Sequence, residues 1–152
     1  MRRTLTFVVA LGACAVLNAG VAQAKPLDGT YRGKTSQGYK AVVKVEGGVV
    51  QSVNLPWVGK CRDKRFRWGP IKRSRWTNDP KEPIEQSGNR FSDAGRVTRD
   101  VKGEHSVTEA HLKGRFSGRR VSGTQVTKVH VTTNGQKDYC HARIHWSAKL
   151  AG

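Results

Sequence analysis

The chain has 152 residues, with 28 Lys and Arg against 11 Asp and Glu, and a formal net charge of +17. That length supports one domain with a real core, and the imbalance far exceeds what solubility needs. Its field favours anionic partners, whether nucleic acid, acidic polysaccharide, lipid headgroups or cell-wall phosphates, unless the charge is only the background of a basic proteome.

Residues 1–24 read as a secretory signal peptide: Arg2 and Arg3 open them, an apolar run from Leu5 to Leu17 follows, and Ala22-Gln23-Ala24 ends them with small residues at a cleavage site. Asn18, Gly20 and Gln23 interrupt the run before it reaches the 18 or so apolar residues of a transmembrane helix. Leu11-Gly12-Ala13-Cys14 resembles a lipobox that would anchor the protein at an acylated Cys14, but Ala15-Val16-Leu17 stays apolar where a lipoprotein turns polar. The Arg pair lacks the flanking residues of a twin-arginine signal. The expectation is export to the periplasm or beyond, with residues 25–152 forming a single secreted domain that has no transmembrane segment. Without Arg2 and Arg3, 26 basic residues face 11 acidic ones, a net +15.

Alternation with period two dominates this domain, so an all-β fold is expected, an antiparallel β-sandwich or small β-barrel of seven to nine strands. Tyr39, Ala41, Val43 and Val45 form one face of a strand, and Gly47-Gly48 turns it into Val49, Gln51, Val53 and Leu55. Residues 77–88, with Pro80, Pro83, Asp79, Glu82 and Glu85, read as a loop. Phe91 and 97–101 suggest short strands, and Ala110, Leu112, Gly114 and Phe116 alternate with Glu109, His111, Lys113 and Arg115 in another.

Asn134-Gly135 is the strongest hairpin signal in the chain. A two-residue loop there sets Val129 opposite Cys140, Thr127 opposite Ala142, Gln125 opposite Ile144 and Gly123 opposite Trp146. The last strand then shows Cys140, Ala142, Ile144, Trp146, Ala148 and Leu150 on one face and His141, Arg143, His145, Ser147 and Lys149 on the other. Gln125 fits that inner face poorly, which suggests a bulge or a slipped register.

Once Cys14 leaves with the leader, Cys61 and Cys140 remain as an even pair in an oxidising compartment, and one disulfide is expected. Closing a loop of that length is worth up to about 4.5 kcal/mol in the chain-entropy model. The absence of Cys-x-x-Cys argues for a staple rather than a redox centre.

Gly29-Thr30-Tyr31-Arg32-Gly33-Lys34-Thr35-Ser36-Gln37-Gly38, Leu112-Lys113-Gly114-Arg115-Phe116, and Cys140 with Trp146 and Ala148 resemble a recurring type of small exported bacterial β-domain. The resemblance covers most of residues 25–152 and implies no catalytic residues. Residues 57–76 are not associated with that type.

Those residues are the candidate binding segment. Lys60, Arg62, Lys64, Arg65, Arg67, Lys72, Arg73 and Arg75 alternate there with Trp57, Phe66, Trp68 and Trp76. Cations neutralise phosphates, sulfates or carboxylates while indole faces stack on bases, sugars or headgroup boundaries, and Cys61 would pin the array to the last strand. The competing reading makes Phe66 and Trp68 core residues of a strand with Arg65 and Arg67 outside, countered by Asp79, Glu82 and Glu85.

No metal or cofactor is expected. His141 and His145 on a strand stand about 13 Å apart, too far to share an ion, and His130 with His141 would make a two-ligand site only with an added acid. No nucleophile or phosphate-loop motif is present. Glu104, His105, Glu109 and His111 would supply acid and base groups for a phosphodiester hydrolase, which is one alternative. The other is a structural or partner-binding envelope protein. The reading preferred from sequence is a non-enzymatic domain that binds an anionic polymer or envelope surface.

Overall fold

The computed structural model describes residues 25–63, 67–72 and 74–152, with Arg67 described by its backbone alone. Residues 1–24, with Cys14, and Lys64, Arg65, Phe66 and Arg73 of the candidate binding segment, lie outside the described residues. Among the described residues there are eleven antiparallel strands: β1 Gly29–Thr35, β2 Lys40–Glu46, β3 Val49–Asn54, β4 Trp57–Cys61, β5 Arg67–Ile71, β6 Arg75–Thr77, β7 Glu85–Ser87, β8 Arg90–Val101, β9 Glu104–Ser117, β10 Arg120–Thr133 and β11 Gln136–Leu150. The two beyond the expected maximum reflect short strands inside residues 57–87, while Phe91 and 97–101 belong to one continuous β8.

All belong to one curled sheet of order β6-β3-β2-β1-β11-β10-β9-β8-β7, with β4 pairing β11 and β5. The curl brings the two ends together without a backbone ladder. The Val50 N–H donates to Gln86 Oε1 at 2.9 Å and Gln86 Nε2 donates to the Gly48 carbonyl at 2.8 Å, so one β7 side chain fastens the free edge of β3. The result is a barrel-like roll, not two facing sheets.

Residues of opposite parity separate cleanly between inside and outside. Tyr31, Ala41, Val43, Leu112, Phe116, Val121, Val129, Ile144 and Trp146 are buried in a single cluster, each large aliphatic member worth about 1.5–3 kcal/mol of transfer free energy. The β10–β11 register follows the Asn134-Gly135 expectation residue for residue, from Thr133 opposite Gln136 to Gly123 opposite Trp146. No slip or bulge is needed for Gln125. It is buried because it has partners: it accepts from Trp76 Nε1 at 3.0 Å and donates to Thr127 Oγ1 at 3.2 Å.

The first hairpin departs from expectation in its second strand. Gly47 and Gly48, at φ 62° and 73°, make the two-residue turn, and Glu46 pairs with Val49. The register then shifts, so that Val45 faces Val50 while Lys44 faces Ser52. This irregularity at Gln51 puts Val50 into the core with Val53 and leaves Val49 exposed, the usual effect of an extra residue on one strand.

Cys61 and Cys140 form the disulfide and pair directly across β4 and β11, a bond that belongs to oxidising compartments. Among the described residues no helix is long and apolar enough to cross a membrane.

Candidate cationic face and aromatic groove

Two surfaces gather the charged and aromatic residues, on opposite sides of the sheet. Outside, successive strands align basic side chains in rows. Lys40 pairs with Lys34, Lys34 with Ser147, Ser147 with Ser122, Ser122 with Arg115, and Arg115 with Arg90. The adjacent row runs through Arg32, Lys149 and Arg120. Further along β11 come Lys113, then Arg143 with His111, then Lys60, His141 and Lys128 in one cross-strand row. All these cations are exposed. Strands lie about 4.8 Å apart and same-face residues almost 7 Å apart along a strand, so neighbours fall within a Debye length of one another. The acid on these rows is Glu109, paired with Arg96 at 3.4 Å.

Inside the roll's mouth lies a groove of about 520 Å³. Trp57, Trp68, Ile71 and Trp76 line it, with Arg75, Asp79, Glu82 and Asp93 around them and Thr108, Ala110 and Thr127 from β9 and β10. Trp76 is held by its bond to Gln125, and a Cβ on Gly95 would lie 3.3 Å from its ring. Burial raises the pKa of Asp93; the Ala94 N–H opposes this, and the charges of Glu82 and Glu85 add to it.

The structure thus divides the candidate binding segment. Trp57 is buried, Trp68 and Trp76 are half-buried, and all three face the groove together with Arg75. Lys60 stands on the outer face opposite His141. Arg62 and Lys72 are exposed, and the Arg67 backbone pairs with Lys60. Among the described residues Lys60 is therefore parted from the three indoles, whereas Arg75 shares their groove. Asp79 and Glu82 line the groove with Arg75, and residues 77–88, expected as a loop, contain the short strand β7.

Sequence reasoning passed over Arg32, Lys34, Lys40, Arg90, Arg120 and Lys128 as members of a common face. Their outward parity is readable from alternation, but their convergence depends on β1 pairing with β11, a contact between distant parts of the chain. Gln37 was missed too. Its amide donates to the Val58 carbonyl at 2.9 Å and accepts from the Val58 N–H at 2.8 Å, standing in for a strand residue beside β4.

The remaining polar candidates are dispersed. His105 hydrogen-bonds Asp100, while His111 lies six residues away on the same side of β9, about 20 Å along the strand. The Tyr139 ring packs against both His130 and His141, at 5.1 and 6.1 Å. The Asp138 carboxylate lies near the sulfurs of Cys61 and Cys140, but disulfide sulfurs offer a metal no thiolate.

The fold and its two surfaces define a disulfide-stapled, all-β roll with a cationic outer face. No protein-family model matches the chain, and neither a curated protein nor a solved structure is significantly similar to it.

Proposed function

We propose that this protein is an exported, non-enzymatic binding domain that docks anionic polymers or envelope surfaces on the outer face of β1, β2, β9, β10, β11 and the Arg90 end of β8. The alignment of Lys40, Lys34, Arg115 and Arg90 in one cross-strand row, flanked by Arg32, Lys149 and Arg120, carries this reading. A rigid sheet holds these charges in place without a ligand, so a polyanion pays little ordering entropy on the protein side. The disulfide favours an oxidising compartment, in keeping with export. The hydrolase reading draws no support from His105 and His111, which are too far apart to act on one phosphodiester.

Binding of DNA, RNA, a heparin-like glycan and anionic vesicles, each titrated with salt, tests the proposal. For duplex DNA the slope of log affinity against log salt is about −0.9 per phosphate neutralised, so changing Arg32, Arg115, Arg120 and Lys149 together to Gln should flatten it by about 3.6. Changing Lys60, Arg62, Lys72 and Arg75 to Gln should flatten it less. Equal effects of the two sets, or no binding by the unaltered protein at low salt, would refute the assignment; the polymer that still binds near 150 mM salt names the ligand class.

A further inference from the structure

We infer that the distal half of β8 is a self-pairing edge, through which two copies of this chain join into one continuous sheet. β7 covers only Arg90–Ser92 of β8, and residues 94–101 are all exposed. Among the described residues no strand pairs with their outer side. Val97 and Val101, 64% and 50% exposed, lie along this edge. An exposed strand edge of that length is a template for another strand.

The backbone fixes which groups point outward. The Ala94 N–H donates to the Asp93 carboxylate instead of reaching β9, and the Arg99 carbonyl faces β9, where it accepts from Ser106 Oγ. Peptide groups alternate along a strand, so those of Ala94, Arg96, Thr98 and Asp100 face the open edge.

Charge then selects both the partner and the register. With a two-fold axis through Thr98, Thr98 faces its own copy and Arg96 faces Asp100 of the second copy, in both directions. Within each chain Arg96 already pairs with Glu109 and Asp100 with His105. The joined sheet would therefore carry Glu109, Arg96, then Asp100 and His105 of the second copy, in one row whose acidic and basic groups alternate. The other face brings Val101 opposite Gly95 and Val97 opposite Arg99 of the second copy, with the two Val97 side chains diagonal across the axis on one side of it and the two exposed Arg99 side chains on the other. An axis through Arg96, Arg99 or Asp100 would oppose like charges, and one through Val97 would pair none. The edge is complementary to itself in the Thr98 register, and a second copy is the occupant it fits.

The test is self-association of the oxidised protein by sedimentation velocity at about 100 μM, where a complex of micromolar Kd is mostly dimer. In the homodimer of Arg96→Glu the introduced carboxylate meets Asp100 of the second copy, and in that of Asp100→Arg the introduced guanidinium meets Arg96. Each variant alone opposes like charges and should associate about tenfold more weakly. Mixed together, one copy of each variant sets a native pair on one side of the axis and the two introduced, opposite charges on the other, so a heterodimer should form. Thr98→Pro removes an outward N–H that β9 does not use and should leave a folded monomer by circular dichroism. A monomeric unaltered protein, undiminished homodimers of the charge variants, or a mixture of folded variants that fails to associate would each overturn the inference.

Discussion

Phe91, Gly114, Gly123 and Trp146 stand side by side on four neighbouring strands, and this row shows how single residues set the interior. A Cβ on Gly114 would lie 2.2 Å from the Phe91 ring, and one on Gly123 would lie 2.0 Å from the Lys113 carbonyl and 2.7 Å from the Trp146 ring. The two glycines leave the space in which the rings meet, 6.1 Å between centroids. Gly123→Ala should therefore lower unfolding free energy by about 1–3 kcal/mol or more in urea melts, since rigid backbone as well as a ring must yield. Asp93 predicts a change of opposite sign. Its native pKa is raised, chiefly by burial, so the folded state holds its proton longer than the unfolded chain, and stability falls as pH rises from the unfolded carboxylate range through the native value. Asp93→Asn keeps an oxygen for the Ala94 N–H and should stabilise the protein slightly at neutral pH, with the two melting curves converging in acid. Gly123 was legible because Asn134-Gly135 fixes its register with Trp146. Gln37, Gln86 and Asp93 were not, because their partners or neighbours lie on strands that no local pattern connects to them.

Legibility among the strands follows the same division. The strands β2, β9, β10 and β11 are inferable from strict alternation and from turns with positive φ, as at Asn134 and Gly135. In β3 the same rule chooses the wrong residues, because the irregularity at Gln51 moves Val50 into the place expected for Val49 and Gln51. The β4 to β6 insert is short and mixed in pattern, and it is held by the disulfide, the Gln37 amide and the pairing of β6 with β3 rather than by its own periodicity. Replacing Cys61 and Cys140 together by Ala should cost about 2–4 kcal/mol. It should also loosen β4 against β11, where the ladder pairs Cys61 and Lys60 and is extended by the Arg62 N–H donating to the Tyr139 carbonyl at 2.9 Å. A red shift of Trp57 and Trp68 fluorescence below the main transition would report that loosening, and one coincident unfolding step would contradict it.

For the molecule as a whole, net charge was visible in composition, but its distribution was not. Lys60 and Arg75, both within residues 57–76, stand on opposite sides of the sheet, whereas Arg32, Arg120 and Lys149, far apart in sequence, stand in one row. Strand parity was legible and strand order was not. The order also governs how the proposed partner surfaces relate: the Lys40 to Arg90 row reaches β8 only at the end that β7 covers, so a dimer through residues 94–101 would leave that row open.

The pairing of β1 with β11 has a consequence for timing. Tyr31 meets Leu150 and Thr35 meets Trp146, so the earliest strand cannot find its ladder until β11 has been made. The meander from β8 to β11 can assemble from neighbouring segments. The hairpin of β1 and β2, although synthesised first, must wait beside it. A chain still emerging without β11, from the ribosome or from an export channel, would hold that hairpin without a seat, and the roll can close only after β11 has come through.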